Sequence, residues 1–170
     1  MPRLFHVSDE GPFTLLIPRA SPAGAPYEGQ PLVWAVDEQH LPNYLLPRDC
    51  PRVCWVPTPG SASLLASPAD RVIVIETGWA SRARNAHLLV HELDSDGFAV
   101  LDSVAGYWVS DSSARVLDVR MVEDCLAELT ERKVEVRVED TLWPYVDAVA
   151  DRGGEFSVIR IRNARPRVER

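Results

Sequence analysis

Short apolar runs bounded by turn residues dominate this chain, and they do not alternate regularly with segments of helical spacing. PLVWAVD, RVCWV, RVIVIE, HLLVHEL, FAVLD, KVEVRVE and EFSVIRIRN all read as strands, each of them short and rich in β-branched or aromatic residues. Regular strand–helix alternation would build a doubly wound parallel sheet. Its absence predicts an α+β fold with an antiparallel-rich split or curved sheet and a few short helices.

The runs differ in what they place where. The opening RLFHVS sets Leu4, His6 and Ser8 on one face of a strand and Phe5 and Val7 on the other. KVEVRVE alternates strictly, with Val134, Val136 and Val138 opposite Glu135, Arg137 and Glu139, which predicts a half-exposed strand. Asp94-Ser95-Asp96-Gly97, between HLLVHEL and FAVLD, predicts a hairpin pairing those two strands. EQHLPNYLL predicts a short helix beginning near Pro42 and stopped by Pro47. Asp118 is the expected cap of a helix carrying Val122, Cys125, Leu126 and Leu129 at helical spacing, and Leu142 to Ala150 is a further helix with Pro144 in its first turn.

A chain of 170 residues can bury a full core without staples, so 1–170 is expected to form a single domain. Residues 18–31 read as a loop, and 57–69 as a surface, linker-like excursion between strands. Residues 163–170 form a basic tail in which Arg165, Arg167 and Arg170 follow Arg160 and Arg162, and a solvated, partly frayed terminus outweighs a binding patch there.

Composition narrows the function classes. A net charge of −7 argues against broad nucleic-acid binding, which depends on clustered cations. No apolar run approaches the roughly 20 residues of a membrane helix, no secretory segment opens the chain, and Cys50, Cys54 and Cys125 are too few and odd in number for a disulfide framework. These features predict a cytoplasmic protein with no membrane partner. No metal is expected: Cys50 and Cys54 lack a second ligand pair, and His87 and His91 would stand roughly 13 Å apart along a strand. Gly-rich phosphate loops and Gly-x-Ser-x-Gly elbows are absent from the sequence.

One constellation remains: His6 and Ser8 on the first strand, Trp34 in a strand about thirty residues on, Tyr44 on the short helix after it, and Glu155 opening the last strand. In that order the chain resembles the ADP-ribosyltransferase superfamily, chiefly its poly(ADP-ribose) polymerase-like and rifamycin-modifying branches. LFHVS resembles the family's first-strand His-Gly-Ser/Thr, VWAVD with Asn43-Tyr44 resembles its aromatic strand and Ala-Asn-Tyr, and EFSVI resembles its Glu-Tyr-Ile-Val strand. Val7 departs from the family's glycine, and Trp34 from its tyrosine. The chain as a whole also resembles an uncharacterised bacterial family through LFHVS, HLPNYLLPRDCPRV and FSVIRIRNA.

The superfamily resemblance implies NAD as substrate and a nucleotide partner, with an acceptor that the sequence does not name. It implies that Glu155 stabilises the oxocarbenium-like state formed when the nicotinamide–ribose bond breaks. His6 would bond a ribose hydroxyl, Ser8 the amide, and Trp34 and Tyr44 would stack on the nicotinamide. It further implies that the strands of His6 and Glu155 meet in mid-sheet. Glu135 and Glu139 are the alternative carboxylates. Val7, in turn, encourages the other reading, a non-catalytic ligand- or partner-binding protein on the same fold.

Overall fold

A computed structural model describes residues 1–168. Arg170, counted in the basic tail, lies outside the described residues, as does the end of the 163–170 segment. The architecture is α+β, with antiparallel-rich sheets and three short helices among the described residues.

The chain divides into two compact units, Met1–Leu41 with Leu88–Val122, and Pro42–His87 with Glu123–Arg170. Each is assembled from two separated stretches, so no composition shift along the chain marks the division.

The first unit is one eight-stranded sheet. Its strands are β1 (Leu4–Ser8), β2 (Leu15–Leu16), β3 (Arg19–Ala20), β4 (Pro31–Asp37), β7 (Leu88–Leu93), β8 (Ala99–Asp102), β9 (Tyr107–Ser110) and β10 (Ala114–Val122). They run in the order β2-β10-β7-β1-β4-β9-β8, with β3 beside β4, and neighbouring strands are antiparallel throughout. Leu4, Val33, Ala35, Leu93, Ala114 and Phe98 form its apolar core.

Two expectations fail in this unit. β7 uses both its edges, on β1 and β10, so it does not pair with β8 across Asp94-Ser95-Asp96-Gly97. β8 instead pairs with β9, over a turn in which Asp102 Oδ1 accepts from the Val104 and Ala105 amides at 2.9 and 3.0 Å. Asp118 caps no helix. It lies within β10 opposite Glu92, next to a register shift, because the ladder with β7 continues to Val122.

The second unit holds a four-stranded sheet of order β11-β6-β5-β12. These strands are β5 (Arg52–Trp55), β6 (Arg71–Glu76), β11 (Val134–Glu139) and β12 (Phe156–Ile159). β6 is buried along its whole length and pairs in parallel with β11. Of this unit's helices, α1 (Thr77–Arg84) and α2 (Cys125–Glu131) lie in the connection between those two strands, and α3 (Trp143–Arg152) follows β11. Asp124 caps α2, its Oδ1 accepting from the Leu126 and Ala127 amides at 2.9 and 3.0 Å. α3 begins with Pro144 in its first turn, as its sequence predicts, and buries Tyr145 and Val149.

The core of this unit gathers Val53, Trp55, Leu65, Val72, Val74, Leu142, Tyr145 and Val149. The 57–69 segment has no helix or strand, yet it contributes Leu65, whose carbonyl also accepts from Trp55 Nε1 at 2.9 Å. The helix expected from Pro42 is a single 3-10 turn, Leu41–Tyr44.

β1 and β12 belong to different sheets. The strands of His6 and Glu155 therefore do not meet in one sheet as the superfamily resemblance implies: β1 is flanked by β4 and β7, and β12 pairs with β5 alone. No helix among the described residues is long and apolar enough to cross a membrane.

Candidate functional site

In the first unit, β1 presents His6 and Ser8 from one face, both half-buried. Phe5 pairs opposite Val36, so the alternation of β4 turns Trp34 to the other face, that of Phe5 and Val7. His6 meets Trp34 at its backbone, the His6 Nδ1 donating to the Trp34 carbonyl at 2.9 Å. The Trp34 ring is used within the fold: its Nε1 donates to Ser21 Oγ at 3.1 Å, and it stands edge-on to Tyr107 at 5.5 Å. Ser8 Oγ accepts from the Glu10 amide at 3.0 Å and so shapes the loop after β1.

Directly across from His6 lies His91, 0% exposed, with ring centroids 6.2 Å apart. Its Nδ1 donates to the His6 carbonyl at 3.3 Å, and its Nε2 accepts from the Phe13 amide, also at 3.3 Å. The Phe13 ring stacks on it at 5.4 Å. Burial holds His91 below its ordinary pKa and outweighs the hydrogen bonds that favour the cation, so the neutral ring is the resident form. Gly11 seals this corner: a Cβ there would come within 3.1 Å of His91 Nε2, and its φ of +123° disfavours any side chain.

In the second unit, Glu155 stands immediately before β12 and is ion-paired to Arg71, Nη2 to Oε1 at 2.8 Å. Arg71 Nη1 donates to Asn43 Oδ1 at 3.1 Å. The Asn43 carbonyl in turn accepts from Arg52 Nε at 2.9 Å, and Arg52 Nη1 donates to the Cys50 and Pro47 carbonyls at 2.9 and 3.2 Å. Tyr44, next in the 3-10 turn, is half-buried.

The alternative carboxylates are engaged as well. Glu135 takes bonds from Arg137 and Ser67, which outweigh burial and keep it below the usual carboxylate range. Glu139 accepts from Tyr145 Oη at 2.9 Å.

The structure thus brings His6 and Ser8 together on one strand face, sets Trp34 on the opposite face, and places Tyr44 and Glu155 in the second unit. Arg52, Arg71, Asn43 and His91 were not singled out from the sequence as site residues. A signal for the two arginines exists, since each opens a wholly buried strand, RVCW and RVIVIE, where a cation must find internal partners. Burial at the Cys50 and Cys125 thiols pushes each up to about 12, and at Cys54 to about 11, so none serves as a nucleophile near neutrality. Among the described residues, no group of three or more His, Cys, Asp or Glu is arranged to hold a metal ion.

A family model described as "Family of unknown function (DUF6886)" matches residues 5–164, nearly the whole chain. This chain belongs to that family. The match runs from Phe5 in β1 past the end of β12, so it covers most of both units. It agrees with the resemblance to an uncharacterised family carried by LFHVS and FSVIRIRNA. No curated protein and no solved structure matches the chain.

Proposed function

We propose that this DUF6886 protein binds a nicotinamide nucleotide, NAD or its nicotinamide end, at the β1 face that carries His6 and Ser8. The observation that supports this reading is the His6 ring, fixed through Nδ1 by the Trp34 carbonyl at 2.9 Å on a strand paired on both sides. An imidazole held in one tautomer and orientation loses little freedom on binding, and its Nε2 is the nitrogen that would accept a ribose hydroxyl. Ser8, two residues on, offers a hydroxyl to an amide. The clamp by Trp34 and Tyr44 does not form part of this reading. A thermal-shift series with NAD and with nicotinamide tests it: both ligands raise Tm in the wild type, and His6→Ala loses most of the shift.

A second reading, transfer of ADP-ribose from NAD to an unidentified acceptor, draws support from Glu155. A carboxylate positioned by a buried guanidinium is the type of group that stabilises an oxocarbenium-like state. The binding reading is preferred because Arg71 already matches that charge. Nicotinamide release by the wild type is the measurement that separates the two.

A further inference from the structure

Positive charge is concentrated at one place in the second unit of a chain whose net charge is −7. β12 runs antiparallel to β5 with Ile159 opposite Arg52, which sets Arg160 at the level where β5 begins. The 3-10 turn Ile161–Asn163 follows, and Asn163 Nδ2 donates to the Asp49 carbonyl at 2.7 Å, tying that turn to the loop that carries Arg48. Arg48, Arg160 and Arg162 are thereby carried on backbone segments that meet near the start of β5, where Arg52 lies. Arg52 is itself buried, and it donates to the Asn43, Pro47 and Cys50 carbonyls, none of which cancels its charge.

Two further observations mark the cluster as more than a solvated surface. Arg160 is half-buried and has a φ of +53°, the left-handed region that costs a branched-free but bulky residue about 1 kcal/mol or more. Burial, together with Arg162, Arg48 and Arg52, disfavours its cation, and the Asp49 carboxylate only partly offsets them. Strain and like-charge repulsion held together in one spot are what a site kept ready for an anion looks like.

We propose that Arg48, Arg160 and Arg162, backed by buried Arg52, form a binding site for a phosphate-bearing small molecule. Guanidinium forks suit the tetrahedral oxygens of a phosphate, and a bound dianion relieves the mutual repulsion of the arginines. The site is independent of the nicotinamide reading, whose residues His6 and Ser8 belong to the first unit.

The test is calorimetric titration of the full chain with inorganic phosphate, pyrophosphate and ADP-ribose at constant ionic strength, with chloride as the control anion. Saturable binding of pyrophosphate or phosphate is expected, weakened about tenfold by Arg48→Ala and by Arg162→Ala. Stronger binding of ADP-ribose than of pyrophosphate would identify a nucleotide as the source of the phosphate, and equal binding would identify the free anion. Arg160→Gly keeps the left-handed turn while deleting the guanidinium. It is expected to fold with an unchanged or higher Tm and to lose the binding. Absence of saturable binding in the wild type, full binding by Arg160→Gly, or binding of a polynucleotide without any of the small anions would each overturn the proposal.

Discussion

Arg71 Nη2 lies 2.8 Å from Glu155 Oε1, with the two side chains 8% and 29% exposed. The pair joins the first residue of β6 to the residue that precedes β12, two strands separated in the sheet by β5. A guanidinium this buried depends on its acceptors, and Asn43 Oδ1 is another of them.

Replacing Glu155 by Gln keeps an oxygen for Arg71 but removes the opposing charge. The expected loss is about 1–3 kcal/mol of stability, read from denaturant unfolding. NAD binding should survive, since the residues assigned to it lie in the first unit. The binding reading further predicts no nicotinamide release by the wild type. Steady release that falls at least about a hundredfold in Glu155→Gln would instead favour the transfer reading.

The outline of the fold was legible wherever a local pattern had a local cause. KVEVRVE forms β11 and RVIVIE forms β6, because alternation and an unbroken β-branched run each restrict a short segment to a strand. Their parallel pairing was not legible, since apolar periodicity carries no information about which strand lies beside which. The same limit explains β7 and β8, where a sound turn sequence joins two strands that are not neighbours. Asp118 and Asp124 are both plausible caps before an apolar helical face, and the ladder between β10 and β7, a long-range interaction, decides between them.

The site was legible only in part. His6 and Ser8 share a face because strand alternation requires it, but Trp34 is oriented by the β1–β4 register, which the sequence does not display. Glu155 was visible as a carboxylate near the last strand, whereas its partner Arg71 lies more than eighty positions away in the chain.

Asp124→Ala should cost about 1 kcal/mol, because two amides at the start of α2 lose their acceptor. Asp118→Ala should change stability by less than about half of that, since Asp118 lies in a strand and caps nothing. Urea midpoints of the two variants provide the comparison.

His91 gives stability a pH dependence of known sign. Its folded pKa lies below the ordinary 6.5, so the unfolded chain binds the extra proton first as pH falls. The His91 contribution is therefore fully present above about pH 6.5 and declines as pH drops from there toward the lower folded value. Protonation also places a hydrogen on Nε2, which can then no longer accept from the Phe13 amide. Melting curves between pH 7.5 and pH 5.5 should show Tm falling in the wild type, and the slope should be shallower in His91→Gln.

The three thiols should resist modification by a thiol reagent at about pH 8 in the folded protein, because burial holds them protonated and out of reach. All three should react once the chain is unfolded in guanidinium. Rapid labelling of any of them under native conditions would contradict their placement in the fold.

Calorimetric titration of NAD into the wild type and into His6→Ala tests the proposed nicotinamide site most directly. The account predicts saturable one-to-one binding by the wild type and at least about tenfold weaker binding by His6→Ala, with the variant still folding cooperatively. Absence of saturable binding up to roughly 5 mM NAD, or equal affinity in the two proteins, would contradict it.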